Sequence, residues 1–248
     1  MTQRTLLTAR AVLFDWDGTL LDSFRADNRA YHAMFSALGV DWTDEDLARH
    51  YHPDWYRVYR AARIERSRWD EADRLWREAY ARESPALLPG ARSILRSLAK
   101  RFTLGLVTSG DGSRVRLQLK TLGLGEMFQA CVCSEDAARR KPHPAPLRRA
   151  LSILELSPEE CVYVGDSPQD IEMAKRARVR AIGVLGPFPT EHGLRSARPL
   201  LLLKSVEELG DRLRPLQKKL SHARSTSAQK PRPGRARAEW ARRGRSGA

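Results

Sequence analysis

Two carboxylates two residues apart, Asp15 and Asp17, sit in the stretch Asp15-Trp16-Asp17-Gly18-Thr19-Leu20, directly after the apolar run Ala11-Val12-Leu13-Phe14. The run reads as a buried strand, and a parallel α/β sheet binds its ligands beyond the carboxyl ends of its strands. The acids are therefore expected in a crevice, where one can bond to a substrate while the other moves protons. They share a side only if the backbone stays extended, and Gly18 can relieve an unusual turn there. A strand end followed by a solvated Asp-Gly turn is the competing reading, and these residues alone leave the two balanced.

Three later positions add weight. Phe102–Val107 reads as a second strand and runs into Thr108-Ser109-Gly110, hydroxyls and backbone N–H groups suited to an anion, although such turns are also rich in Ser, Thr and Gly for capping. Lys141 is fixed between a basic loop and Pro142-His143-Pro144, where its ammonium can neutralise a phosphoryl oxygen; taken singly it is a solvated surface charge. A third apolar strand, Cys161–Gly165, ends in Asp166-Ser167-Pro168-Gln169-Asp170. Asp166 occupies its strand tip as Asp15 does, and one carboxylate from each of two neighbouring strand ends suffices for a hard cation such as magnesium, which keeps several waters. Asp170 has two readings, an acid at or just behind the metal site and the N3 residue of a helix with Ser167 as N-cap and Pro168 at N1.

Taken in order, these four pieces resemble the haloacid dehalogenase superfamily, over residues 10–210. The resemblance implies a doubly wound parallel α/β sheet of Rossmann-like type with an inserted α-helical cap. An acid at the position of Asp17 is shared by the family's phosphatases and mutases and is missing from its dehalogenases. Asp15–Ser23 is similar to the phosphoglycolate phosphatase-like subgroup, with Trp16 where Phe or Leu is common, a departure in bulk rather than chemistry. The implied activity is a magnesium-dependent phosphatase acting on a small phosphomonoester, a phosphorylated metabolite. In that scheme Asp15 is the nucleophile that forms an aspartyl-phosphate, and Asp17 is general acid and then base. Thr108, Ser109 and Lys141 bind phosphoryl oxygens. Magnesium is held by Asp15, the backbone carbonyl of Asp17 and Asp166, with Asp170 at or behind it. A phosphosugar mutase would use the same motifs. A non-enzymatic binding protein is the remaining alternative, although every matched position carries a competent residue.

The elements that must position these groups follow from pattern. The 248 residues divide into a core over 1–23 and 85–214, a helical cap over 24–84 and a basic tail over 215–248. In the cap, Arg29–Leu38 reads as a helix ended by Gly39, and a second helix starts at Thr43 with Asp46 three residues on. Its 11 Arg against 12 acidic residues give a net charge of −1, so the cap does not identify an acidic substrate. Trp42, Trp55, Tyr56, Tyr59, Trp69 and Trp76 are expected to form mainly its own core. An amphipathic helix then runs to Ala99, followed by strands at 102–107, 128–133, 161–165, 179–185 and 199–203 with a helix at 113–122, a βαβ succession.

No apolar run approaches a membrane span and the N-terminus lacks a signal-peptide pattern, so a cytoplasmic location is expected. The three cysteines are read as reduced structural thiols, with Cys131 and Cys133 on opposite faces of their strand. Residues 215–248 hold ten Lys or Arg and one acid, Glu239, about +9 of the net +14. The tail is expected to be disordered. Nucleic acid is a conceivable partner through phosphate charge, but one stacking residue, Trp240, and no nucleic-acid fold favour a plain soluble extension.

Overall fold

Fully buried apolar runs become the middle of a sheet in which both faces are covered. The computed structural model describes residues 6–52 and 54–216. In chain order it contains β1 (Leu7–Ala9), β2 (Ala11–Phe14), α1 (Phe24–Leu38), α2 (Asp44–His50), α3 (Trp55–Ala61), α4 (Trp69–Tyr80), α5 (Ala91–Ala99), β3 (Thr103–Val107), α6 (Gly112–Thr121) and β4 (Ala130–Val132). It continues with α7 (Ala145–Leu154), β5 (Cys161–Gly165), α8 (Pro168–Arg176), β6 (Arg180–Val184), α9 (Glu191–Ser196), β7 (Leu201–Leu203), α10 (Leu209–Arg212) and β8 (Leu213–Pro215). Six strands form one parallel sheet in the order β4-β3-β2-β5-β6-β7. The chain winds outward from β2 in one direction and returns to wind out in the other, so the fold is the expected doubly wound α/β type.

The period of two along each strand assigns side chains to two layers. Val12, Phe14, Leu104, Leu106, Val162 and Val164 pack with Leu95 and Leu98 of α5 and Val115 and Leu119 of α6. Leu13 and Tyr163 face the other way, against Leu147 and Leu151 of α7 and Ile171 and Ala174 of α8. Register puts Phe14 opposite both Leu106 and Val164, so the segments that leave these three strands start at one level.

Helices α1 to α4 lie between β2 and β3 and pack around a cluster of their own, with Tyr31, Met34, Phe35, Leu47, Val58 and Tyr59 buried at its centre. The first helix begins at Phe24, five residues before the expected Arg29, and ends at Gly39, whose φ of 73° needs no Cβ. Thr43 and Asp46 exchange both bonds of a capping box. The two chain segments that join this helical insertion to the sheet pair with each other. The Asp22 N–H donates to the Ala86 carbonyl and the Leu88 N–H to the Leu20 carbonyl, each at 2.9 Å, around an antiparallel bridge between Leu21 and Leu87.

Two features depart from the sequence reading. Cys131 and Cys133 share a face, with sulfurs 3.9 Å apart in the same core layer, because residues two apart on a strand point the same way. They are free thiols. In addition, β1 and β8 form a separate parallel pair, Leu7 opposite Leu213, and the Leu216 N–H donates to the Ala9 carbonyl at 2.7 Å. The expected tail boundary at 215 thus falls inside a strand. Residues 217–248, which carry the expectations of disorder and nucleic-acid contact, lie outside the described residues. No helix among the described residues is long and apolar enough to cross a membrane.

Leu98 on α5 is fully buried against the sheet, whereas Leu117 on α6 is 65% exposed. Leu98→Ala is expected to lower unfolding free energy by about 2–5 kcal/mol in urea titrations, and Leu117→Ala by no more than about 0.5 kcal/mol.

Candidate active site

Four strands, β2, β3, β4 and β5, deliver residues that follow them to one cavity of about 320 Å³, lined by Asp15, Asp17, Thr108, Ser109, Lys141 and Asp166 together with residues of the helical insertion. Asp15 follows β2 and stays beside β5 through its N–H, which donates to the Val164 carbonyl at 2.9 Å. The chain then turns tightly at Gly18, where φ is 78°. A Cβ on Gly18 would lie 2.3 Å from Asp166 Oδ2 and 2.6 Å from the Phe188 ring, so glycine is required both for the backbone and for the approach. Within the turn, Thr19 is buried and its hydroxyl donates to Asp166 Oδ1 at 3.1 Å.

Lys141 is buried and bridges two acids, donating to Asp15 Oδ1 at 2.6 Å and Asp170 Oδ1 at 2.7 Å. Asp170 takes the capping role and also faces the acidic cluster. It closes a capping box with Ser167 at the start of α8, and it receives Lys141 and the Tyr163 hydroxyl, the latter at 3.0 Å. Burial pushes the Asp15 carboxyl up to about 7 against the pull of Lys141, with Asp170 and Asp17 adding to the rise. Burial, with Asp15 and Asp170 nearby, also raises Asp166 well above the carboxylate range. The same two neighbours hold the Lys141 ammonium charged although burial opposes them.

Oxygens of Asp15, Asp166 and Asp170 lie within 4.8 Å of one another. Three buried carboxylates around one ammonium leave excess negative charge, and a hard divalent cation with oxygen ligands fits that donor set. Asp170 has both oxygens engaged, Oδ1 by Lys141 and Tyr163 and Oδ2 by the Ser167 N–H and hydroxyl. Asp15 and Asp166 retain free lone pairs toward the cavity. The carboxyl of Asp17 lies outside this cluster.

Arg114 is what holds Asp17. Its guanidinium grips the carboxylate with two bonds, Nη2 to Oδ2 at 2.6 Å and Nη1 to Oδ1 at 3.0 Å. Burial acts to raise Asp17, but Arg114 outweighs it and keeps the carboxyl below its ordinary range. The same guanidinium lies 4.9 Å from the Tyr80 ring centre, and Nη1 donates to the Tyr80 hydroxyl at 3.3 Å, so it also touches the insertion. Sequence reasoning passed over Arg114. The available signal was a cation in the first turn of α6, where the helix dipole disfavours it. Trp16 is likewise more than bulk: its indole N–H donates at 2.9 Å to Gln118, a neighbour of Arg114 on α6.

In the expected anion cradle the Thr108 N–H is spent on the Val132 carbonyl and the Gly110 N–H on Thr108 Oγ1, which leaves the hydroxyls of Thr108 and Ser109 and the Ser109 N–H as donors. Ser109 Oγ is buried with no hydrogen-bond partner. A buried hydroxyl without a partner is costly unless a ligand supplies one.

Acids, an ammonium and hydroxyls gathered beyond the carboxyl ends of a doubly wound parallel sheet make a strand-end ligand site of the kind α/β enzymes use. Residues 12–184 match the haloacid dehalogenase-like hydrolases, and the chain belongs to that family. It is similar to the pyrophosphatase PpaX of Oceanobacillus iheyensis, at 25% identity over 207 residues, covering 82% of this chain and 96% of that one. Similarity to the phosphoglycolate phosphatase of Pseudomonas putida is 27% over 212 residues, covering 81% and 78%. Among solved structures, CbbY from Rhodobacter sphaeroides in complex with phosphate aligns with a TM-score of 0.72 at 29% identity, covering 82% of this chain and 97% of that one. Within the family the protein is an enzyme of the phosphatase type.

Gly18→Ala forces both the backbone and the Asp166 carboxylate to move. The expected result is at least a tenfold weaker affinity for a divalent cation by calorimetry, with about 1–3 kcal/mol of stability lost. Unchanged metal affinity would show that Asp166 is not a ligand.

Proposed function

We propose that this enzyme hydrolyses a small phosphomonoester by way of an aspartyl-phosphate on Asp15, with magnesium as cofactor and the helical insertion as a cap over the site. The observation that carries the reading is Asp15 itself. One oxygen is fixed by Lys141, and the other accepts no hydrogen bond among the described residues and borders the cavity. A carboxylate so held is oriented for attack.

In this mechanism the free oxygen of Asp15 bonds to phosphorus as the ester oxygen leaves, and Asp17 protonates that oxygen. Asp17 then draws a proton from water, which attacks the acyl phosphate and regenerates Asp15. Lys141 and the Thr108 and Ser109 hydroxyls bind phosphoryl oxygens throughout. Asp15, Asp166 and the Asp17 carbonyl would hold magnesium, which supplies the positive charge that lets an anionic nucleophile meet an anionic ester. Arg114 keeps Asp17 ionised in the present arrangement, which suits the second step. The first step needs Asp17 protonated, so the Arg114 pair must loosen as the ester enters.

The relatives' names make pyrophosphate and phosphoglycolate the first substrates to try, beside sugar phosphates and nucleoside monophosphates. Free phosphate released from such a panel with magnesium tests the reading and identifies the substrate. Asp15→Asn is expected to remove turnover and covalent phosphate trapping while melting like the wild type, since an amide is a poor nucleophile and a poor metal ligand. Turnover near the wild-type rate in this variant would sink the mechanism. Asp17→Asn should lose least on esters with good leaving groups and most on alkyl phosphates, by about 10²–10⁴-fold. Equal losses across a leaving-group series would remove Asp17 from acid catalysis.

A further inference from the structure

The helical insertion touches the core at three places around the cavity. Tyr51 stacks on Phe188 with ring centres 5.0 Å apart, Tyr80 meets Arg114, and the start of α3 meets Arg140. The third contact is one peptide bond from Lys141. Arg140 lies in the loop between β4 and α7, with its guanidinium carbon 3.8 Å from the Trp55 ring centre and 4.8 Å from that of Tyr56. Its Nη1 is 3.5 Å from Asp54 Oδ1, on the residue just before α3. Consecutive side chains of one loop thus point to opposite sides, Arg140 up to the insertion and Lys141 down to Asp15 and Asp170.

We propose that Arg140 is a positioning residue whose clasp on Trp55 and Tyr56 ties the seating of the helical insertion to the seating of the Lys141 ammonium. The proposal rests on the phosphatase reading above, because it assigns Lys141 to the phosphoryl group. A guanidinium 3.8 Å from an indole centre gains cation–π energy that a partly exposed ion pair at 3.5 Å does not supply. Lys141 must meet Asp15, Asp170 and a phosphoryl oxygen with one ammonium, so small rotations of its backbone matter. When the insertion is seated, Arg140 pins that backbone from above. When it lifts, Arg140 loses both rings, and the loop keeps its ties from the core side, the Lys141 bonds to Asp15 and Asp170 and the Arg176 bond to the Pro142 carbonyl at 3.1 Å, with nothing from above to hold its backbone.

The test uses the full chain with magnesium and two readouts, kcat/KM on the best substrate of the panel and affinity for inorganic phosphate by calorimetry. Arg140→Ala and Trp55→Ala are each expected to lower both quantities about tenfold, on the scale of a well-stacked cation–π contact. The double variant is expected to be no worse than either single one, since both remove the same contact. Trp55→Phe keeps a ring face and should recover most of the loss. Phosphate affinity unchanged in both single variants, additive losses in the double variant, or a Trp55→Phe as poor as Trp55→Ala would each overturn the clasp. If the wild-type protein releases no phosphate from any ester, the phosphatase reading fails instead, and the calorimetric comparison still decides whether Arg140 sets Lys141.

Discussion

Lys141 reaches two carboxylates at once, Asp15 at 2.6 Å and Asp170 at 2.7 Å, and the layer at the strand ends is arranged around that bridge. Burying three acids with one ammonium is expensive, since each charge leaves water and the attraction returns that cost only with good geometry and further donors. The fold provides those donors from fixed places. Tyr163 reaches across from β5, Ser167 from the start of α8 and Thr19 from the turn after β2. All three depend on strand register, because sliding β5 by one residue would reverse Tyr163 and move Asp166 away from Asp15. A stable core of apolar strands is therefore the precondition for a polar layer that would not hold together by itself.

Two acids separated by a single residue end in opposite electrostatic surroundings. Asp15 is deep among other acids and is pushed toward its neutral form, while Asp17 faces a guanidinium and is held ionised. Divergent surroundings of this kind are how neighbouring carboxyl groups come to play different parts. In the proposed mechanism a cation between Asp15 and Asp166 would restore the charge Asp15 needs as a nucleophile, and a phosphoester beside Arg114 would compete for the guanidinium that Asp17 holds.

The sheet was legible because strands covered on both faces read as short apolar runs, and β2, β3 and β5 fall where those runs lie. Asp15, Thr108 and Asp166 were legible for a related reason, since a strand-end position gives a polar residue an address. The capping signature at Ser167 and Asp170 could be read locally, but the bond from Asp170 to Lys141 joins residues 29 apart and left no local trace. Arg114 was hidden in the same way, in a helix already basic at Arg116 and Lys120. The pairing of β1 with β8 escaped because each strand is three residues long and its partner lies some 200 residues away. The facing cysteines were misread outright, although the rule that places them together is a local one.

The helical insertion leaves and rejoins the sheet through two segments that hydrogen-bond to each other around Leu21 and Leu87. These two hydrogen-bonded segments, together with the contacts at Phe188, Arg114 and Arg140, are what seat the insertion on the core. One segment is also part of the turn that carries Asp17, since the Gly18 N–H donates to the Leu21 carbonyl at 2.9 Å. The junction of the insertion with the sheet and the turn that carries Asp17 are thus one hydrogen-bonded piece, so the seating of the far helices and the placing of Asp17 share a foundation at Gly18.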